Sequence, residues 1–133
     1  DLYHFGRGVK KDERLAFKYE EKAAQKGYAI SQFNTGNKYR DGRGCEQSYE
    51  RAAEWYEKAA RQGDANAQCA LGTAYRFSHG VPQSYERAVE LYKQSAEQGI
   101  AEATVNLGAC YHDGTGVTKS SVHRAGVSAC GKE

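Results

Sequence analysis

The chain has 133 residues, 39% of them hydrophobic, with 15 glycines against one proline. Its 19 basic and 17 acidic side chains leave a net charge of +2, and no block of one sign marks a nucleic-acid footprint. No run approaches the roughly 18 apolar residues of a membrane span, so neither nucleic-acid binding nor membrane insertion is expected. Much of the apolar fraction is Ala and Tyr, which suits closely packed helices better than a sheet.

In chain order, Asp1 to Gly8 reads as the end of a helix and its following loop. Asp12 to Lys26 reads as the partner helix, with Asp12 as N-cap. Its side-chain oxygen would accept a first-turn N–H, and Ser48, Ser84 and Ser120 stand at the same place, 36 residues apart. Two full helix pairs follow, near 29–41 with 48–62 and near 65–77 with 84–98. The helix at 101–113 opens a further pair. Gly27, Gly63 and Gly99 end the second helix of each pair, where a left-handed residue is needed. The units are thus a partial repeat at 1–28, repeats at 29–64 and 65–100, a first helix and loop at 101–117, and an irregular helix or disordered tail at 118–133. Because the chain opens inside a unit, it reads as a piece of a longer protein.

A fixed period of 36 residues is a solenoid signature. Within each first helix a glycine recurs as Gly36, Gly72 and Gly108. Glycine inside a helix costs about 1 kcal/mol relative to Ala, so its return implies a close helix–helix approach. The second helix answers with small residues: Ala16, Ala52 and Ala88, then Ala24, Ala60 and Ala96. Aromatics fill between, Trp55 sharing a core position with Tyr19 and Leu91, and Tyr56 sharing the next with Tyr92. The loops read Gly6-Arg7-Gly8, Gly42-Arg43-Gly44 and Gly114-Thr115-Gly116, but Ser78-His79-Gly80 in the third unit. Ser78 stands where positive φ is expected and should be strained. At the chain's first edge Phe5, Phe17 and Tyr19 should be exposed.

No catalytic motif is present. The Gly-x-Gly loops end helices, whereas a phosphate loop opens one. Cys110, His112 and Asp113 lack a second ligand pair, so no metal or other cofactor is expected. Cys45, Cys69, Cys110 and Cys130 do not recur with the repeat, which points to reduced thiols and a cytoplasmic setting. Cys45 takes the place of Val9, Val81 and Val117 and reads as a buried apolar filler.

The run Ala67-Gln68-Cys69-Ala70-Leu71-Gly72-Thr73-Ala74-Tyr75, then Gly80-Val81 and Glu90-Leu91-Tyr92-Lys93-Gln94-Ser95-Ala96, resembles the Sel-one-like repeat. That family is a branch of the tetratricopeptide-like helical solenoids. The unit with Gly42-Arg43-Gly44 and Trp55-Tyr56-Glu57-Lys58-Ala59-Ala60 resembles it equally. The resemblance implies an all-α fold, a right-handed superhelix of antiparallel helix pairs. It also implies an adaptor or scaffold that binds a protein or extended peptide in its concave groove, without catalysis. In a cysteine-rich bacterial branch a disulfide joins neighbouring helices. Here those positions are Ala60 and Gln68, so the chain does not resemble that branch.

By analogy with tetratricopeptide grooves, the first helices offer Ile30, Phe33, Asn37 and Arg40, then Asn66, Cys69, Thr73 and Arg76, then Glu102, Val105, Ala109 and His112. The position after the recurrent Tyr is His4, Arg40, Arg76 and His112, a basic ladder that suits an acidic peptide or a terminal carboxylate. Asn37 would hold peptide backbone, and Phe33 or Val105 an apolar side chain. A spacer between other domains, or a thiol-dependent enzyme, are the alternative readings.

Overall fold

Six helices follow one another in a computed structural model that describes residues 2–113, with side-chain surroundings from 12 to 112. They are α1 (Leu2–Gln25), α2 (Ala29–Asp41), α3 (Tyr49–Arg61), α4 (Ala65–Phe77), α5 (Tyr85–Glu97) and α6 (Ala101–Asp113). Helices α2 to α6 are 13 residues each and keep the 36-residue register of the sequence. Each packs on its chain neighbours, most extensively α2 on α3 and α4 on α5. Among the described residues there is no strand, and the architecture is an all-α solenoid.

Local chemistry sets the helix ends. Ser48 and Ser84 are extended, and their side chains accept the N–H of Arg51 and Arg87 at 3.2 Å. Asp64 caps α4 in the same way, accepting from Ala67 N–H at 2.9 Å. Gly27, Gly63 and Gly99 have φ of 102°, 94° and 96°, the left-handed turn that reverses the chain. Ser78 also has positive φ, 59°, and its hydroxyl donates to the Val81 carbonyl at 2.8 Å, offsetting part of the backbone strain.

The core is thin and built on two tyrosine pegs. Tyr56 lies against Gly36, and Tyr92 against Gly72; both rings are buried. Ala52, Ala53, Leu71 and Ala74 surround the first peg, and Ala88, Val89, Cys69, Ala103 and Cys110 the second. Trp55 is a correction: it is only half-buried, with the Lys58 ammonium 4.8 Å from its ring centre. The next position, that of Tyr56 and Tyr92, faces the partner helix instead.

Adjacent units are also stapled by glutamines. Gln62 Nε2 donates to the Gly27 carbonyl at 2.9 Å and to Gln32 Oε1 at 2.8 Å. One repeat later, Gln98 Nε2 donates to the Gly63 carbonyl at 2.9 Å and to Gln68 Oε1 at 3.0 Å. Each staple satisfies a carbonyl that the preceding helix leaves open at its C-terminal end.

The first unit departs from expectation. Gly6-Arg7-Gly8 forms no loop and Asp12 caps nothing; α1 runs unbroken for 24 residues. In later units the glycine loop closes against the preceding second helix. A Cβ on Gly44 would collide with the Glu13 carbonyl, and one on Gly80 with the Tyr49 carbonyl. In α1 residues 6–8 instead continue the helix, and extending a formed helix gains a hydrogen bond per residue. At this edge Tyr19 is 63% exposed and Leu15 47%, while Phe17 is half-buried edge-on to Tyr39. The side chain of Phe5, and the tail from 118 to 133, lie outside the described residues.

Candidate functional site

Helices α2 and α4 bring Phe33, Asn37 and Arg40 together with Asn66, Cys69 and Thr73 along one depression of about 390 Å³. All six are among the positions that the analogy with tetratricopeptide grooves offers to a ligand. The wall is completed by Tyr49, Ala52, Ala53 and Tyr56 from α3, by Ala70 and Ala74, by His79 from the third loop and by Glu102 from the first turn of α6.

Two tyrosines fix the polar groups. Tyr56 Oη donates to Asn37 Oδ1 at 2.5 Å, and Tyr92 Oη shares a 2.8 Å hydrogen bond with Thr73 Oγ1. Burial pushes both phenols up to about 12, so they remain neutral at ordinary pH. Asn37 was expected to hold peptide backbone through its amide. Its Oδ1 is taken by Tyr56, which leaves Nδ2 as the group without a partner among the described residues.

The basic ladder is only partly assembled. Arg40 is held by its neighbour, Nε to Asp41 Oδ1 at 2.9 Å and a terminal nitrogen to Asp41 Oδ2 at 3.1 Å. The hydrogen bonds raise the Arg40 pKa and lower that of Asp41, so both stay charged and neutralise each other. Arg76 does not line the depression; its guanidinium lies 4.7 Å over the Phe77 ring. Val105 is 70% exposed and His112 is exposed, and neither lines the depression. The His4 side chain lies outside the described residues.

Cys69 is buried in the wall, and burial, then the nearby Glu102 charge, push its thiol up to about 11. Cys45 is likewise shifted upward, first by burial. Neither is an activated thiol, since reactivity follows the thiolate. Among the described residues no three His, Cys, Asp or Glu side chains are grouped to hold a metal.

The sequence singled out His79 only as a loop residue and a supplementary metal ligand, and did not pair it with Tyr49. Their rings stack at 4.4 Å between centroids and 13° between planes, with Phe77 a further 5.8 Å from His79. One repeat earlier the same two positions are Arg43 and Glu13, an ion pair at 3.8 Å. The signal was legible: the third loop replaces Arg by His, and Asp41 becomes Phe77 at the helix end.

The Sel1 repeat matches residues 1–28, 29–64, 65–100 and 101–125. The chain belongs to the Sel1 repeat family. Among solved structures, a Sel1 repeat protein from Oxalobacter formigenes is similar at 36% identity and a TM-score of 0.76, over 90% of this chain and 49% of that one. A protective antigen of uropathogenic Escherichia coli displaying the same repeat fold is similar at 36% identity and a TM-score of 0.70, over 75% of this chain and 21% of that one. The chain therefore spans about half or less of the length of these two Sel1 relatives. Cysteine-rich protein B of Helicobacter pylori shares the fold at 24% identity and a TM-score of 0.64, over 68% of each chain. No curated protein matches the chain.

Proposed function

We propose that this Sel1 chain is a protein-interaction module that holds an extended peptide segment of another protein in the depression between α2, α3, α4 and α6. One observation carries the reading: side chains from three successive units, Asn37, Asn66, Thr73 and Glu102 among them, converge with the rings of Phe33 and Tyr56 on one concave surface. Amides and a hydroxyl at that spacing suit the alternating polar groups of an extended backbone, and the rings suit a side chain between them. The family supports the same reading, since Sel1 repeats generally mediate protein interactions as scaffolds. Thiol catalysis has no support at this site, where the one lining cysteine, Cys69, is buried and its thiol is shifted upward.

The test is selection of binders from a displayed random dodecapeptide library, followed by a variant that fills the groove. Asn66 is exposed in the second position of α4, so Asn66→Trp should leave stability within about 0.5 kcal/mol. Selected peptides should bind the parent and lose at least roughly ten-fold in affinity for the variant, a loss of the size expected when a central contact is blocked. Selected peptides that bind both proteins equally would place recognition elsewhere and overturn the reading.

A further inference from the structure

The depression's charge and its rings specify what kind of side chain it takes, an inference that rests on the groove being the binding site. Two lining residues carry formal charge, Arg40 and Glu102. Arg40 is already satisfied by the two-pronged contact with Asp41. Glu102 makes no ion pair among the described residues. The uncompensated charge at the wall is therefore negative, which removes the basis for an acidic ligand at this point.

The rest of the wall is unusually aromatic for so small a space. Phe33, Tyr49, Tyr56 and His79 all line it. Phe33 and Tyr56 meet at 5.9 Å between centroids, tilted by 39°. Tyr49 is 40% exposed and stacked on His79 from one side. Ring faces carry a negative quadrupole and attract cations, with Arg and Lys as the usual partners. A carboxylate adds directed hydrogen bonds to the same cation. Glutamate at position 102 is also particular to its unit, because the equivalent residues are Ile30 and Asn66.

We infer that the depression selects an extended peptide by one basic side chain, a Lys or Arg held between the Glu102 carboxylate and the exposed ring surfaces of Tyr49 and Phe33. The aliphatic stem of such a side chain covers the apolar wall of Ala52, Ala53 and Ala70 while its head meets the carboxylate. The Tyr49–His79 stack stiffens one side of this cage, in the junction where the previous unit uses the Arg43–Glu13 pair.

The experiment uses the same displayed dodecapeptide library and resynthesised binders. Enriched peptides should share a Lys or Arg at one fixed position. Replacing it by Leu or Glu should weaken binding by at least roughly three-fold, and Glu102→Gln should reduce the Arg-over-Leu preference by roughly two- to five-fold, the span of a partly exposed ion pair. A common anchor that is apolar or acidic, or a preference unchanged by Glu102→Gln, would overturn this inference while leaving the groove reading intact. A library yielding no binder at all would overturn both.

Discussion

Gly72→Ala is the most direct probe of the helix–helix packing. A Cβ at this position would sit 2.9 and 3.0 Å from two ring carbons of Tyr92 and 3.3 Å from the Ala88 carbonyl oxygen. Carbon contacts are optimal near 3.5–4.0 Å, so the ring must withdraw by roughly half an ångström or more. It has nowhere to go: Tyr92 is 0% exposed and its hydroxyl is tied to Thr73 at 2.8 Å. Overpacking of this kind costs about 1–3 kcal/mol. The gain in helix propensity, about 1 kcal/mol, offsets part of it. We expect a net loss of up to about 2 kcal/mol for Ala and somewhat more for Gly72→Leu, read as a fall in melting temperature of up to about 8 °C by circular dichroism. Gly108→Ala is the internal comparison. Nothing described lies within 4 Å of its Cβ, and the sequence counterpart of Tyr92 there is Ser128, so this variant should be neutral or gain up to about 1 kcal/mol. A Gly72→Ala protein that melts at or above the parent would refute the packing argument.

Three further outcomes follow from buried groups. Thr35 stands where other units have Leu71 and Leu107; it is 0% exposed and its hydroxyl finds no hydrogen-bond partner, so Thr35→Val should stabilise by about 1 kcal/mol, and a lower melting temperature would contradict this. Tyr56 and Tyr92 ionise near 12 in the fold against 10.0 unperturbed, so the folded state holds their protons more tightly. Their contribution is intact below about pH 10 and is lost as pH rises from there through about 12. Tyrosinate absorbance should show these two phenols titrating only as helicity collapses, and their ionisation in a fully helical protein would contradict that. Cys69, shifted up to about 11, should resist iodoacetamide at pH 8 in the native protein and react on unfolding; rapid native labelling would reopen a thiol chemistry.

The 36-residue period was enough to place five of the six helices, because the serine caps Ser48 and Ser84 and the chain-reversing glycines Gly27, Gly63 and Gly99 repeat with it and each has one local job. Gly36 and Gly72 announced the close approach for the same reason. What the pattern could not carry was anything that depends on a neighbour. The α1 helix runs through Gly6-Arg7-Gly8 unbroken, whereas the equivalent loop glycine Gly44 closes on Glu13 of the helix before it. Of the groove positions, six converge on the depression. The ladder after the recurrent Tyr does not hold as a free row, since Arg40 is paired within its own helix and Arg76 lies over Phe77. A spacing argument says which side of a helix a residue occupies. It cannot say that Arg40 will fold onto Asp41 in one unit while Arg76 lies over Phe77 in the next.

The claim that the concave depression is the binding surface is tested most directly by mapping amide chemical shifts while a library-selected dodecapeptide is titrated into labelled protein. The account predicts perturbations at Phe33, Asn37, Asn66 and Thr73, spread over two successive units, with the exposed positions Glu54, Lys58 and Glu90 of α3 and α5 unmoved. Perturbations concentrated at Glu54, Lys58 and Glu90 instead would contradict it.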